Sequence, residues 1–160
     1  MDTLNVGDKA PDFELVRKDG RFFRLYEVLK EQNVVLYFYP RDNTSGCTKQ
    51  ACEFRDQYEL FQELDTEVVG ISSNSLESHK RFERINHLPF VLLSDNDGNL
   101  RNLYGVPRKF GILPGRVTFV IDKKGIVRYI HNSFNNPTEH VNYALEVLKA
   151  LNEKEEEVHV

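Results

Sequence analysis

Asn33-Val34-Val35-Leu36-Tyr37-Phe38-Tyr39 is a nearly unbroken apolar, β-branched and aromatic run that ends at Pro40. A half-exposed strand alternates apolar and polar residues, whereas this run is apolar at both parities and must be buried on both faces. Such strands belong to sheets covered by helices on both sides, which places the chain in the α/β class. At seven residues it is also far shorter than the roughly 20 needed to cross a bilayer, so no membrane span is expected.

The flanking segments fill in the plan. Asp12-Phe13-Glu14-Leu15-Val16, the turn Lys18-Asp19-Gly20 and Phe22-Phe23-Arg24-Leu25 predict an N-terminal hairpin. A short helix is expected over 26–32, and beyond Pro40 a helix over 47–64 opened by a Ser/Thr cap. Strand 67–73, helix 75–86 with Asn74 or Ser75 as cap, and strand 90–93 follow in alternation, the pattern of a parallel sheet with right-handed crossovers. A turn at Asp95–Gly98, a short helix over 99–104 and a loop over 105–115 precede an antiparallel pair over 116–122 and 126–130. A helix over 138–151 closes the series. This order is the plan of the thioredoxin fold with an N-terminal β-hairpin extension, a central mixed sheet flanked by helices. It predicts a single domain over 1–152 and a frayed acidic tail at 153–160. Fold alone names no function.

Charge and length remove several classes. Across 160 residues, 21 basic side chains face 25 acidic ones with the signs mixed, a net charge of −4, which argues against binding to nucleic-acid phosphates. The length suffices for a full core without a disulfide or metal staple. Met1-Asp2-Thr3-Leu4-Asn5 lacks the basic start and apolar core of a secretory signal, so the expected address is the cytoplasm. A cysteine pair in that reducing compartment points to redox, metal or plain core roles rather than to a structural disulfide.

The two cysteines, Cys47 and Cys52, carry most of the functional information. Cys47 follows a strand and a cap-rich loop and so sits in the first turn of a helix, where free backbone N–H groups and the dipole favour an anion. A thiolate is the nucleophilic form, and Thr44, three residues earlier, can turn its hydroxyl toward the sulfur or a bound oxygen. On position alone, a small buried residue at a helix start fits equally well. Cys52 is five residues on, and helix geometry sets the two Cα atoms roughly 8 to 9 Å apart on different faces. A disulfide requires about 4.4 to 6.8 Å, so bonding the pair requires the helix to unwind locally. Cys52 can equally be a core residue beside Ala51. The histidines, His79, His87, His131, His140 and His159, lack the close spacings of zinc ligands and are expected on the surface. Asp95-x-Asp97-Gly98 lacks the remaining ligands of a calcium loop and reads as a turn.

Pro40-Arg41-Asp42-Asn43-Thr44-Ser45-Gly46-Cys47 has the Pro-x-x-x-Thr-x-x-Cys pattern of the peroxiredoxins. Gly46-Cys47-Thr48-Lys49-Gln50-Ala51-Cys52 resembles their bacterioferritin comigratory protein, or peroxiredoxin Q, branch. The opening Gly7-Asp8-Lys9-Ala10-Pro11-Asp12-Phe13 and the strand from Arg116 to Asp122 extend the resemblance over nearly the whole chain. It implies a thiol peroxidase without metal, flavin or haem. In that reading Cys47 is the peroxidatic cysteine and Cys52 the resolving one. Thr44 bonds the peroxide, Pro40 shields the site from water, and Arg116 supplies a positive charge. Thr44, Gly46, Cys47 and Arg116 contact a hydroperoxide substrate. A thioredoxin-like dithiol protein is the implied reductant. A monomer suffices, with a homodimer through the active-site edge as the alternative. Three departures stand out: Ser45 where many members of the branch have proline, a shorter loop over 106–115, and Gln50 where the wider superfamily often has glutamate. Gln50 either holds Arg116 or the loop backbone or is a plain exposed helix residue. On the same fold, a protein thiol–disulfide oxidoreductase favours Cys-x-x-Cys. A non-catalytic thioredoxin-like module has no use for Pro40, Thr44, Cys47 and Arg116 together.

Overall fold

The computed structural model of the chain describes residues 4–109 and 113–158. The N-terminal hairpin consists of β1 (Glu14–Val16) and β2 (Phe22–Arg24), antiparallel with Leu15 opposite Phe23, and leads into the short α1 (Leu25–Val28). Then come β3 (Asn33–Phe38), α2 (Ser45–Asp56), α3 (Tyr58–Glu63), β4 (Thr66–Ser72), α4 (Leu76–Asn86) and β5 (Val91–Ser94). The second half holds α5 (Asn99–Leu103), β6 (Arg108–Lys109), β7 (Leu113–Pro114), β8 (Val117–Ile121), β9 (Val127–Asn132) and α6 (Pro137–Val158). The central five-stranded sheet runs β5-β4-β3-β8-β9. β3, β4 and β5 are parallel, while β8 is antiparallel to β3 and β9 to β8, giving the expected mixed sheet of a thioredoxin fold.

All six residues of β3 are buried. Its even positions, Val34, Leu36 and Phe38, join Phe23, Leu25 and Leu29 from the hairpin side and Leu100 and Tyr104 from α5 and its end. Its odd positions, with Tyr39 just beyond the strand, join Ala51 and Phe54 of α2, Phe61 of α3, Phe82 of α4 and Val141, Ala144 and Leu148 of α6. Each large side chain so buried contributes roughly 1.5 to 3 kcal/mol, which is why the strand is apolar at both parities. On the second face Tyr37 stacks on Phe54 with ring centroids 4.5 Å apart. Gly70 in β4 makes room for that ring, since a Cβ there would lie 2.8 Å from both Tyr37 Cζ and Leu92 Cδ2.

Three expectations change. The helix expected over 47–64 is two helices with a break at Gln57 (φ −101°, ψ 3°). Beyond the break, Tyr58 donates to Glu67 Oε1 at 2.9 Å and its ring lies 6.3 Å from that of Phe90. Those tertiary contacts override a continuous local periodicity. The last helix continues past Leu151 to Val158, because the Glu- and Lys-rich segment contains good helix formers and no Gly or Pro to stop it. Among the histidines, His79 and His140 are buried, each held by side-chain and backbone partners rather than by solvent. His87 is exposed and caps α4 in the left-handed region at φ 52°, while His159 lies outside the described residues. Among the described residues, no helix is long and apolar enough to cross a membrane.

Candidate active site

Cys47 lies at the carboxyl end of β3, the end at which parallel α/β sheets place their binding crevices. The loop after Tyr39 enters α2 with Thr44 as N-cap, and the helical ladder begins with Thr48 N–H on the Thr44 carbonyl at 2.9 Å. The N–H groups of Ser45, Gly46 and Cys47 precede that ladder at the positive end of the helix dipole. The expected hydroxyl cap is absent. Thr44 Oγ1 instead donates to the Arg41 carbonyl at 2.9 Å, leaving its oxygen lone pairs available as acceptors.

Arg116, one residue before β8, reaches this helix end and is itself buried. Its Nη2 lies 3.5 Å from Cys47 Sγ, Nη1 donates to Gln50 Oε1 at 2.5 Å, and Nε donates to the Phe134 carbonyl at 3.1 Å. A Cβ at Gly46 would sit 3.1 Å from Nη2, so this glycine admits the guanidinium. Gln50 is buried and holds Arg116, which excludes the exposed alternative for it. Its amide is neutral, so it orients the guanidinium without cancelling its charge. The structure thus brings together every site residue singled out from the sequence except Cys52: Pro40, Thr44, Gly46, Cys47 and Arg116 line one cleft of about 510 Å³. Phe134 and Pro137 add apolar wall.

Both cysteines are free thiols, Cys47 buried and Cys52 half-buried. They share the continuous helix α2, and the Cys52 thiol is turned to α4, where it donates to Asn86 Oδ1 at 3.8 Å. Among the described residues no group of three or more His, Cys, Asp or Glu side chains is arranged to hold a metal ion.

Two groups that sequence reasoning missed brace the cleft. Buried Arg101 of α5 donates to the carbonyls of Tyr39 at 3.4 Å and Gly115 at 3.3 Å, one residue before Pro40 and one before Arg116. Asp95 holds α5 by accepting from the Leu100 and Arg101 N–H groups at 3.0 and 2.9 Å. Phe134 supplies both a ring, 5.6 Å from the Arg116 guanidinium, and its carbonyl. No local pattern announces either residue.

His140 of α6 lies behind Arg116. Its Nε2–H donates to the Ser133 carbonyl at 2.7 Å, and that assignment leaves Nδ1 to accept from Thr118 Oγ1 at 2.8 Å, so the ring is satisfied when neutral. Burial brings its pKa from the ordinary 6.5 down to about 4; the Ser133 bond opposes the shift, and His131 and Arg116 reinforce it. As pH falls through about 6.5 the unfolded chain gains a proton here that the folded chain refuses until about 4. Stability present above that window is therefore lost within it, by about 3 kcal/mol for this group. Urea unfolding of a His140→Asn chain between pH 7 and pH 4 is expected to show a correspondingly shallower loss than wild type; equal slopes would refute the assignment.

Comparison with known proteins bears on the family and the fold. The AhpC/TSA family model matches residues 6–130. Peroxiredoxin Q, chloroplastic, of Oryza sativa subsp. japonica is 49% identical over 149 residues, covering 92% of this chain and 68% of that protein. The structure of peroxidoxin BcpB from Mycobacterium tuberculosis superposes with a TM-score of 0.84 at 38% identity, over 91% of this chain and 96% of that one. That of the Xanthomonas campestris bacterioferritin comigratory protein gives 0.79 at 27% identity, over 88% and 92%. The chain therefore belongs to the AhpC/TSA family and, within it, to the peroxiredoxin Q branch of peroxidases.

Proposed function

We propose that the chain reduces hydrogen peroxide and small organic hydroperoxides through Cys47, with Cys52 as the resolving thiol. The observation that carries this reading is the Arg116 guanidinium 3.5 Å from a sulfur at a helix N-terminus on the cleft. A cation and the helix dipole both stabilise negative charge on that sulfur. The Cys47 thiolate attacks one peroxide oxygen; the S–O bond forms as O–O breaks, and the leaving oxygen departs with the bonding pair and takes up a proton as water or alcohol. Arg116 stabilises the charge that grows on the leaving oxygen. Thr44, its hydroxyl hydrogen given to Arg41, accepts the peroxide O–H, and Pro40 limits water at the sulfur. The Phe134 and Pro137 wall suits an alkyl group. The Xanthomonas campestris relative is described for its alkyl peroxide reduction activity.

The sulfenic acid then condenses with the Cys52 thiol, forming S–S and releasing water. Because α2 holds the two residues too far apart, its first turns unwind for this step. A thioredoxin-like dithiol protein restores both thiols by exchange, becoming a disulfide itself. Both cysteines come from one chain, so a monomer completes the cycle. The cycle requires a reducing compartment, the cytoplasm in our reading; the Oryza relative is named as chloroplastic.

Intact mass after one equivalent of hydrogen peroxide, under anaerobic conditions, tests this. Wild type is expected to lose two hydrogens, and Cys52→Ser to retain a sulfenic acid that dimedone traps. Wild type that stays reduced while peroxide persists would sink the reading and favour protein disulfide exchange.

A further inference from the structure

Asp42, at the centre of the loop between β3 and α2, is buried although charged. Its Oδ2 faces His79 Nδ1 at 2.7 Å and accepts from Ser78 Oγ at 2.8 Å, both on α4, while Oδ1 accepts from Tyr39 Oη at 2.6 Å. Asn74 Oδ1 accepts from the Asp42 N–H at 2.8 Å. His79 is equally buried, and its Nε2 faces the Leu93 carbonyl at 3.0 Å. Both ring nitrogens thus face buried oxygen atoms from other elements. Burial alone would raise the Asp42 pKa, but the bonds from His79, Tyr39 and Ser78 more than offset it and hold the carboxyl below its ordinary value. The result is a hydrogen-bonded pair, closed off from water, that fastens the loop to α4.

Pro40, Arg41, Thr44 and Gly46 line the cleft on either side of Asp42, so the pair holds the segment that shapes the site. The far end of α4 holds the other cysteine. Asn86 accepts the Cys52 thiol, and its carbonyl accepts from Arg55 Nη1 at 2.8 Å. One helix therefore grips α2 and its entry loop at both places that must separate when the helix unwinds.

We propose that His79, acting through Asp42, is a positioning residue for the reaction: the buried pair holds the Pro40–Gly46 loop and the first turn of α2 in the shape that attacks peroxide, and opposes the unwinding that lets Cys52 reach Cys47. This rests on the peroxidase cycle proposed above. Loosening the pair has opposite effects on the two steps. Attack requires the wound geometry and slows when it is imprecise. Disulfide formation draws on the unwound population and speeds up as that population grows.

The test follows both steps by rapid mixing with hydrogen peroxide, acid quench, thiol alkylation and intact mass, in wild type, His79→Gln, Asp42→Asn and Ser78→Ala. In His79→Gln and Asp42→Asn, attack is expected to slow about tenfold and disulfide formation to quicken about tenfold. Ser78→Ala, which removes one neutral hydrogen bond from the same carboxylate, is expected to shift both steps about twofold in the same directions. Circular dichroism checks folding, and if His79→Gln and Asp42→Asn do not fold, Ser78→Ala alone decides. A purely structural role leaves both rates unchanged in folded variants, or slows both together, and either result overturns the proposal. Wild type that does not consume peroxide would instead overturn the cycle itself.

Discussion

A Cys47→Ser chain is expected to consume hydrogen peroxide no faster than buffer, a loss on the order of 10⁴-fold or more relative to wild type. An alcohol at the same place is a far weaker nucleophile, and neither Arg116 nor the helix dipole can ionise it near neutral pH. The fold should persist. Cys47 is buried and close to serine in size, and Arg116 keeps its bonds to Gln50 and Phe134, so the thermal midpoint is expected to move by only a few degrees. Peroxide consumption and thermal unfolding on the same sample separate the two effects. Substantial residual turnover would mean that Cys52 is the peroxide-reactive thiol.

Arg116→Ala is expected to lower the second-order rate constant for peroxide by about 10² to 10³-fold, the loss typical of removing a preorganised donor from a site of developing charge. It should also destabilise the protein. Gln50 Oε1 loses its donor in a buried place, at about 1 to 3 kcal/mol, and the half-buried Phe134 carbonyl loses one that water can partly replace. Arg116→Lys separates charge from geometry. A lysine keeps a point charge but lacks the planar fork that serves Cys47, Gln50 and Phe134 at once, so its rate should fall between alanine and wild type. Stopped-flow measurement under single-turnover conditions checks all three chains. If Arg116→Lys equals Arg116→Ala, the fork matters and the charge alone does little; if Arg116→Ala equals wild type, the electrostatic account of Cys47 is wrong.

Much of this molecule is legible in its residue order. The apolar parity of residues 33–39 determines a strand buried on both faces, and the alternation that follows determines a parallel βαβ half. Pro40 and the cap-rich loop determine that Cys47 opens a helix, and five-residue spacing determines that Cys52 cannot bond it while that helix stays wound. These are local facts, since periodicity, turn chemistry and helical rise act between neighbours in the chain.

Only the tertiary structure decided what faces Cys47 and what holds its loop. Arg116 is 69 residues away, and a strand-end charge acquires its role only because β8 pairs with β3 and aims the guanidinium at the start of α2. Gln50 reads from the sequence as either an exposed or a holding residue; burial against Arg116 chose between them. His79 and His140 read as surface residues because a single imidazole carries no periodic signal, and their burial depends on hydrogen-bond partners brought from β5, β8 and two loops. The break at Gln57 likewise goes with Tyr58 finding Glu67 on the next strand, β4. Hydrogen-bond partners distant in the chain are set by strand order and side-chain direction, and no local pattern encodes either.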